Sequence, residues 1–563
     1  MAVPPDTGGL TWSLEPSHFP AAPTRWTAQL FVTIQTEVLR RVTAEAGLPV
    51  DGLAMREFDG RVYTVVVPLG GKARKPPPAA LVPLLCKVVP ELRRRVAASK
   101  RWESEDRPAH IIEEWFGSKE AALLDEGRMF FRLDLEHHSG VKLAEAIDRA
   151  IAYAEDALFW HFYLHGAAVW QIGRLGMQLE AEHGWTDAEF AALFTGLSTT
   201  STGPAAAQRA LLTLIDEQDA RSTLERAESL EDLRELSAPL RDAIDAYLDN
   251  WGLRAIRYEV AYPMVAERPE WLLRQLQEQA RANDEDHSAA HAAARAAAEQ
   301  RLLADLGDTE ETRATLETAR HTFPVRESNE TATVGLPAAV LRHVGLEAGR
   351  RLARSGNLER PDDVFDLTIN EVTAVLRGAA NAPADPALRA HTRREARLAA
   401  DATPPPRTVG PPPDAAAGPP SLTGFPPAIV EGTRAMLWYA DKVFGAPPPV
   451  TDAGAATNEI RGTAVSPGQY QGTARVLLDE SELERIEQGD VLVCPITSPV
   501  WSMVFPALGA LVCDAGGPLS HPAIIAREFG IPAVVGTGVG TSVIPDGASV
   551  LVDGDKGTVA LRR

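Results

Sequence analysis

The chain has 563 residues, 45% of them hydrophobic, and a formal charge of −21. That length exceeds one ordinary core and predicts roughly two to four domains. The acidic balance, unrelieved by any basic run with interleaved aromatics, repels phosphate backbones and anionic lipid, which excludes nucleic acid and membrane surfaces as expected partners.

The opening MAVPPDTGGLTW lacks a basic segment followed by an apolar stretch. No later window approaches the roughly 18 uninterrupted apolar residues of a membrane span, so a cytoplasmic protein is expected. The first 130 residues are mixed in pattern, with a strand predicted at Arg61 to Val67 and a basic patch around Lys72 to Lys75 that reads as a solvated loop. Residues 131–400 read as mainly helical. Thr186 with Glu189, Ser229 with Asp232 and Thr368 with Glu371 have capping-box spacing, and Gly252 and Gly356 suit helix C-terminal caps. The alanine-rich stretch from Ala289 to Leu306 favours a helix by propensity and suggests no function.

Residues 401–458 read as a tether. Proline and small residues dominate Ala402 to Pro427, a composition that excludes helix and packed core; one amphipathic helix follows at Phe425 to Phe444, then a second hinge, APPPVTDAGAAT. From 459 to 563 the pattern changes to short apolar runs between glycine turns, namely TARVLL, DVLVCPI, ALVCD, AVVG, SVLVD and TVALR. These predict a small β/α domain. The fold class expected for the whole is multidomain α+β, a mainly helical domain followed by this small one. The three cysteines, Cys86, Cys494 and Cys513, stand far apart in apolar surroundings and predict buried thiols, with neither a disulfide framework nor a metal site.

The chemistry-bearing segment is Asp514-Ala515-Gly516-Gly517-Pro518-Leu519-Ser520-His521, between a short apolar strand and the helical run PAIIAREF. His521 therefore falls on a strand-to-helix turn. Paired glycines let the backbone approach a bound group closely, Ser520 suits the N-cap, and Pro522 is tolerated in a first turn. An anion held there meets free N–H groups and the positive end of a helix dipole. Neutral imidazole is nucleophilic near neutral pH, so His521 is a candidate nucleophile; the bland alternative is a histidine packed at a helix start.

Three runs, GTAVSPGQYQGTARVL, DVLVCPITSPVWSMVFPALGALVCDAGGPLSHPAIIAREFGIPAVVGTG and IPDGASVLVDGDKGTV, resemble the phosphohistidine domain of the PEP-utilising enzymes throughout its length. That family includes phosphoenolpyruvate synthase, pyruvate phosphate dikinase and rifampin phosphotransferase. The resemblance implies that His521 is the catalytic residue and accepts phosphate from a nucleotide-binding domain, and that the whole domain then swings to an acceptor site. It places Gly516, Gly517, Ser520 and Arg527 around the phosphate; for Arg527 a structural role, pairing Glu528 or capping the helix, stays equally open.

Residues from about Leu10 to Gly378 resemble the acceptor-binding helical domain of rifampin phosphotransferase-like proteins, through TWSLEPSHFPAAPTR, WGLRAIRYEVAYPMVAERPEWLL, Arg326-Glu327 and RPDDVFDLTINEV. Arg254, Arg257, Arg326 and Glu327 are the candidate acceptor- or phosphate-binding residues there, with surface salt bridging as the alternative. Leu253 and Val265 depart from the family's usual segment and leave the acceptor unassigned. His161 and His165, four apart on an aromatic helix, have metal-ligand spacing without a third ligand, and read better as part of a substrate-lining face. No segment matches the ATP-grasp domain of the family. The expectation is therefore a chain with no bound cofactor of its own, charged by a separate ATP-grasp protein using ATP and Mg2+, that delivers phosphate to a small organic acceptor. A net dehydration is open as the outcome. A lyase or isomerase using His521 as general acid/base, and a non-catalytic binding protein, are the alternatives.

Overall fold

A computed structural model describes residues 6–72, 77–197, 199–255, 257–281, 287–412, 421–445 and 459–562. The basic patch beyond Lys72 and the second hinge, at 446–458, lie outside the described residues. The chain folds as two compact units, each assembled from three separate stretches. One comprises Met1–Trp170, Arg257–Pro263 and Asn329–Arg434; the other comprises Gln171–Ile256, Met264–Ser328 and Ala435–Arg563. The class is the multidomain α+β one expected, mainly helical with a small β/α domain near the C-terminal end.

The first unit contains a four-stranded antiparallel sheet in the order β2-β3-β1-β4, from β1 (Trp12–Leu14), β2 (Val50–Phe58), β3 (Arg61–Pro68) and β4 (Thr408–Val409). The turn between β2 and β3 is Asp59-Gly60, both at positive φ (48° and 77°), the backbone that matches the twist of a tight hairpin. The strand β4 differs from the expectation of a tether throughout 402–427. Thr408 and Val409 pair with Ser13 and Trp12, and Tyr63 Oη donates to the Pro406 carbonyl at 3.0 Å. Proline is tolerated here because β4 is an edge strand, where one side of the backbone needs no partner. The helical core centres on Leu336–Arg354, buried on most of its surface; Trp26 meets Phe365 edge to face at 5.6 Å beside Gly345.

In the second unit, helices Thr199–Glu217, Ala238–Tyr247 and Pro269–Gln279 bury Leu211, Ile215, Leu240, Ile244, Leu272 and Leu276 together. The C-terminal strands are β5 (Glu459–Arg461), β6 (Thr463–Ser466), β7 (Gln469–Val476), β8 (Asp490–Cys494), β9 (Leu508–Cys513), β10 (Ala533–Val535), β11 (Ser549–Asp553) and β12 (Thr558–Arg562). They form one sheet in the order β5-β12-β11-β7-β8-β9-β10-β6. Strands β7 to β10 are parallel neighbours, and β8 and β9 read as continuous apolar runs because both faces are covered. The connection from β9 to β10 carries the helix His521–Glu528.

Two predicted capping boxes form, at Thr186/Glu189 and Thr368/Glu371. The third does not: Asp232 accepts from the N–H groups of Glu228 and Ser229, and Leu230 occupies the N-cap. Gly356 takes the left-handed conformation past its helix (φ 76°), whereas Gly252 ends a helical turn without one, packed against Ala266.

Candidate active site

The segment 514–520 leaves the carboxyl end of β9, the edge where open parallel sheets bind ligands. Asp514 pins its start: the carboxylate accepts from Thr537 Oγ1 at 2.8 Å and from the Thr541 N–H, and the Asp514 carbonyl accepts from Gly538 N at 2.9 Å. Gly516 sits at φ 111°, where a Cβ would fall 2.8 Å from Ser520 Oγ. A Cβ on Gly517 would fall 2.5 Å from the Lys442 carbonyl, so both glycines are demanded by local geometry.

The close approach at Gly517 is to the end of the helix Pro427–Phe444. Its last carbonyls have no partner within the helix. Lys442 O accepts from Leu519 N at 2.8 Å and Val443 O from Gly517 N at 2.9 Å. Lys442 Nζ in turn pairs with Asp187 at 2.7 Å and Glu180 at 3.3 Å, tying this helix end to its own unit. The loop bearing His521 is thus held along its length by backbone hydrogen bonds.

Ser520 occupies the N-cap of His521–Glu528, but its hydroxyl donates to the Gly517 carbonyl at 2.6 Å instead of capping. The serine therefore tightens the turn and leaves the first-turn N–H groups without a side-chain cap. Arg527, placed near phosphate by the resemblance, spends Nη1 on the Val465 carbonyl (2.9 Å) and Nη2 on Pro518 (2.7 Å). Burial pushes its pKa down to about 10, which still leaves it protonated at neutral pH. Its observed role is to brace the loop against β6.

His521 Nδ1 bonds to Glu327 Oε2, in the short helical turn Val325–Ser328. Both side chains are buried, with 11% and 6% of their surfaces exposed. An ionised carboxylate only accepts, so Nδ1 carries a proton, and in the neutral ring the lone pair stands on Nε2. Nε2 is buried and has no hydrogen-bond partner. Arg326, buried beside Glu327, donates from Nη1 to the Leu519 carbonyl at 3.1 Å, and its guanidinium lies 4.9 Å above the ring of Tyr439. A carboxylate on Nδ1, an unpartnered Nε2 and a cation held on the His521 loop are an arrangement that can serve nucleophilic or acid–base chemistry.

The other sequence candidates make contacts of their own. Arg254 is buried with its guanidinium 5.0 Å over Trp251, and Arg257 stands at the same distance over Tyr262. In the first unit, His161 Nδ1 meets Asn329 Oδ1 at 2.8 Å and Thr333 Oγ1 at 3.0 Å, while His165 Nδ1 donates to the His161 carbonyl at 2.7 Å. Burial, with help from His165, holds the His161 pKa well below the usual imidazole range, so this ring is neutral. Among the described residues no group of three or more His, Cys, Asp or Glu is arranged around a metal position, and no helix is long and apolar enough to cross a membrane. The cysteines are buried, but two that stand apart in sequence meet in space: the register of β8 with β9 sets Cys494 Sγ 3.6 Å from Cys513 Sγ.

Sequence reasoning singled out His521, Arg326 and Glu327, which the structure brings together, but not Tyr439 or the carbonyls of Lys442 and Val443, which meet the same loop or its Arg326 contact. Tyr439 lies three and four residues before Lys442 and Val443, on the helix face that meets the loop. That periodicity was the available signal, but only the fold shows which face meets what.

Comparison with known proteins finds relatives over both the C-terminal β/α domain and part of the helical region. Residues 486–557 match the family model of the PEP-utilising enzyme mobile domain, and 162–327 match the rifampicin phosphotransferase fourth domain. The chain is 32% identical over 338 residues to a rifampicin phosphotransferase of a Streptomyces species, covering 58% of this chain and 35% of the relative. A probable phosphoenolpyruvate synthase of Archaeoglobus fulgidus is 44% identical over 100 residues, which is 18% of this chain and 13% of that protein. An uncharacterised phosphotransferase of Bacillus subtilis (strain 168) is 40% identical over 129 residues, 23% of this chain and 15% of its own length. The matches thus span about a third or less of these relatives. The strand-loop-helix unit that presents His521 is thus similar to the mobile domain of the PEP-utilising enzymes, and residues 162–327 are similar to the fourth domain of rifampicin phosphotransferase.

Proposed function

We propose that this chain carries a phosphoryl group on His521 Nε2 and passes it to a small organic acceptor. The observation that carries the reading is the Glu327–Nδ1 hydrogen bond, which in the neutral ring places the lone pair on Nε2, a buried atom without a hydrogen-bond partner. In the first half-reaction the Nε2 lone pair attacks phosphorus, the P–O bond of the donor breaks, and the donor leaves with those electrons. Glu327 stabilises the positive charge that develops on the ring, and Arg326 offsets the negative charge of the phosphoryl oxygens. In the second, an acceptor oxygen attacks phosphorus and the P–N bond breaks, returning the electron pair to Nε2. Rifampicin phosphotransferase and phosphoenolpyruvate synthase among the relatives support phosphotransfer as the reaction class. The donor in this reading is a separate ATP-grasp protein working with ATP and Mg2+, and the place of action is the cytoplasm.

A second reading has the same geometric support. An imidazole with a carboxylate on Nδ1 and a free Nε2 is also a general base, which suits a lyase or isomerase without phosphohistidine. Incubation with ATP, magnesium and candidate ATP-grasp proteins separates the two. Phosphotransfer predicts an acid-labile phosphate absent from His521→Ala; a substrate turned over with no such label under any donor supports the general base.

A further inference from the structure

We propose that Tyr439 is a phosphoryl-binding residue of this site, its phenolic O–H donating to an oxygen of the phosphoryl group on His521 Nε2. The proposal rests on the phosphohistidine reading and deepens it. Tyr439 is 4% exposed, yet its Oη has no hydrogen-bond partner. Buried hydroxyls are normally paired, and an unpaired one calls for a ligand or a functional reason.

Its surroundings say what kind of ligand. The ring supports the Arg326 guanidinium at 4.9 Å, and Arg326 reaches the carbonyl of Leu519, two residues from the histidine. Lys442 and Val443, one turn further along the same helix face, hold the loop through Leu519 N and Gly517 N. Burial pushes the Tyr439 pKa up, and the neighbouring Glu327 carboxylate acts in the same direction against Arg326. The phenol therefore stays a neutral donor. Tyr439 lies beneath Arg326 and His521 bonds the adjacent Glu327, and each carries a buried polar atom without a hydrogen-bond partner, the hydroxyl of Tyr439 and Nε2 of His521. A phosphoryl group satisfies both: phosphorus bonds Nε2, and one of its oxygens accepts from Tyr439. The buried hydroxyl is then a preorganised donor of the kind that stabilises charge developing in a transition state.

Tyr439→Phe isolates the hydroxyl, because phenylalanine keeps the ring beneath Arg326. The full chain is treated with phosphoramidate, a small-molecule donor whose P–N bond breaks as Nε2 attacks and whose nitrogen leaves as ammonia. Labelling of His521 is followed by intact mass and peptide mapping, with His521→Ala as background. Tyr439→Phe is expected to label roughly tenfold more slowly than wild type. Its melting temperature without phosphate is expected to equal or exceed that of wild type, since a buried unpaired group has been removed. Labelling at the wild-type rate, or a lowered melting temperature that reveals a structural hydrogen bond, overturns the role of Tyr439. If wild type acquires no label at His521 beyond the His521→Ala background, the phosphohistidine reading itself fails and this inference with it.

Discussion

Replacing Glu327 by Gln keeps the shape of the His521 partner and removes its charge. The amide oxygen of the new side chain can still accept from Nδ1–H, so the tautomer persists, while the electrostatic support for a positively charged phosphoimidazole is lost. Both side chains are buried, so solvent screens the interaction little. Hydrogen bonds to charged groups contribute about 1.5–3 kcal/mol and neutral ones roughly half of that. Glu327→Gln should therefore lose about 1 kcal/mol of transition-state stabilisation, a rate reduction of roughly fivefold to tenfold. Glu327→Ala loses the acceptor as well and should fall by about 10- to 100-fold, with either tautomer of His521 then accessible. The assay is the time course of phosphate incorporation at His521, with circular dichroism as the check on folding. Wild-type labelling rates in a folded Glu327→Ala protein would refute the orienting role of Glu327.

Three further outcomes follow from other contacts. Gly517→Ala places a methyl against the Lys442 carbonyl and should free the loop from the end of the helix Pro427–Phe444, seen as faster amide exchange at Leu519 and slower labelling of His521. Arg527→Lys cannot span the carbonyls of Val465 and Pro518 with one ammonium, so it should lower the melting temperature of the C-terminal β/α domain nearly as far as Arg527→Ala; full rescue by Lys would contradict the bracing role. For Glu371, burial raises the pKa, but hydrogen bonds from Arg393, Arg389 and the Thr368 cap outweigh it and hold the carboxyl at about 2. Its folded pKa lies below the unfolded value, so its contribution is present above roughly pH 5 and lost as pH falls toward 2; solvent screening of this partly exposed cluster limits the effect to roughly 1–2 kcal/mol. Glu371→Gln should flatten the acid limb of denaturation monitored in the first unit, and an unchanged limb would contradict the assignment.

The parts of the fold legible in sequence are those governed by local chemistry. The apolar runs of β8, β9 and β11 and the glycine pair before His521 announced themselves because covered parallel strands exclude polar residues and tight loops need glycine. Strand β2 was missed: its sequence, VDGLAMREF, mixes polar and apolar residues without alternation, and Gly52 introduces a register shift, although Asp59-Gly60 marks its hairpin. Thr408 and Val409 pair in the sheet despite a proline-rich context because pairing across some 400 residues leaves no local signature. The same limit governs the site. His521 could be read from GGPLSH, and Arg326-Glu327 from a family resemblance, but their contact is a long-range one. Ser520 had the right position for a cap, and tertiary geometry turned its hydroxyl to Gly517 instead.

Whether His521 Nε2 carries a phosphoryl group is decided by mapping phosphate after charging the full chain with ATP, magnesium and an ATP-grasp protein. The expected product has gained one phosphate, labile to acid and stable to base, located on the peptide containing His521 and absent from His521→Ala. Phosphate at another residue, or catalysis that depends on His521 while no donor ever labels it, would overturn the phosphohistidine reading.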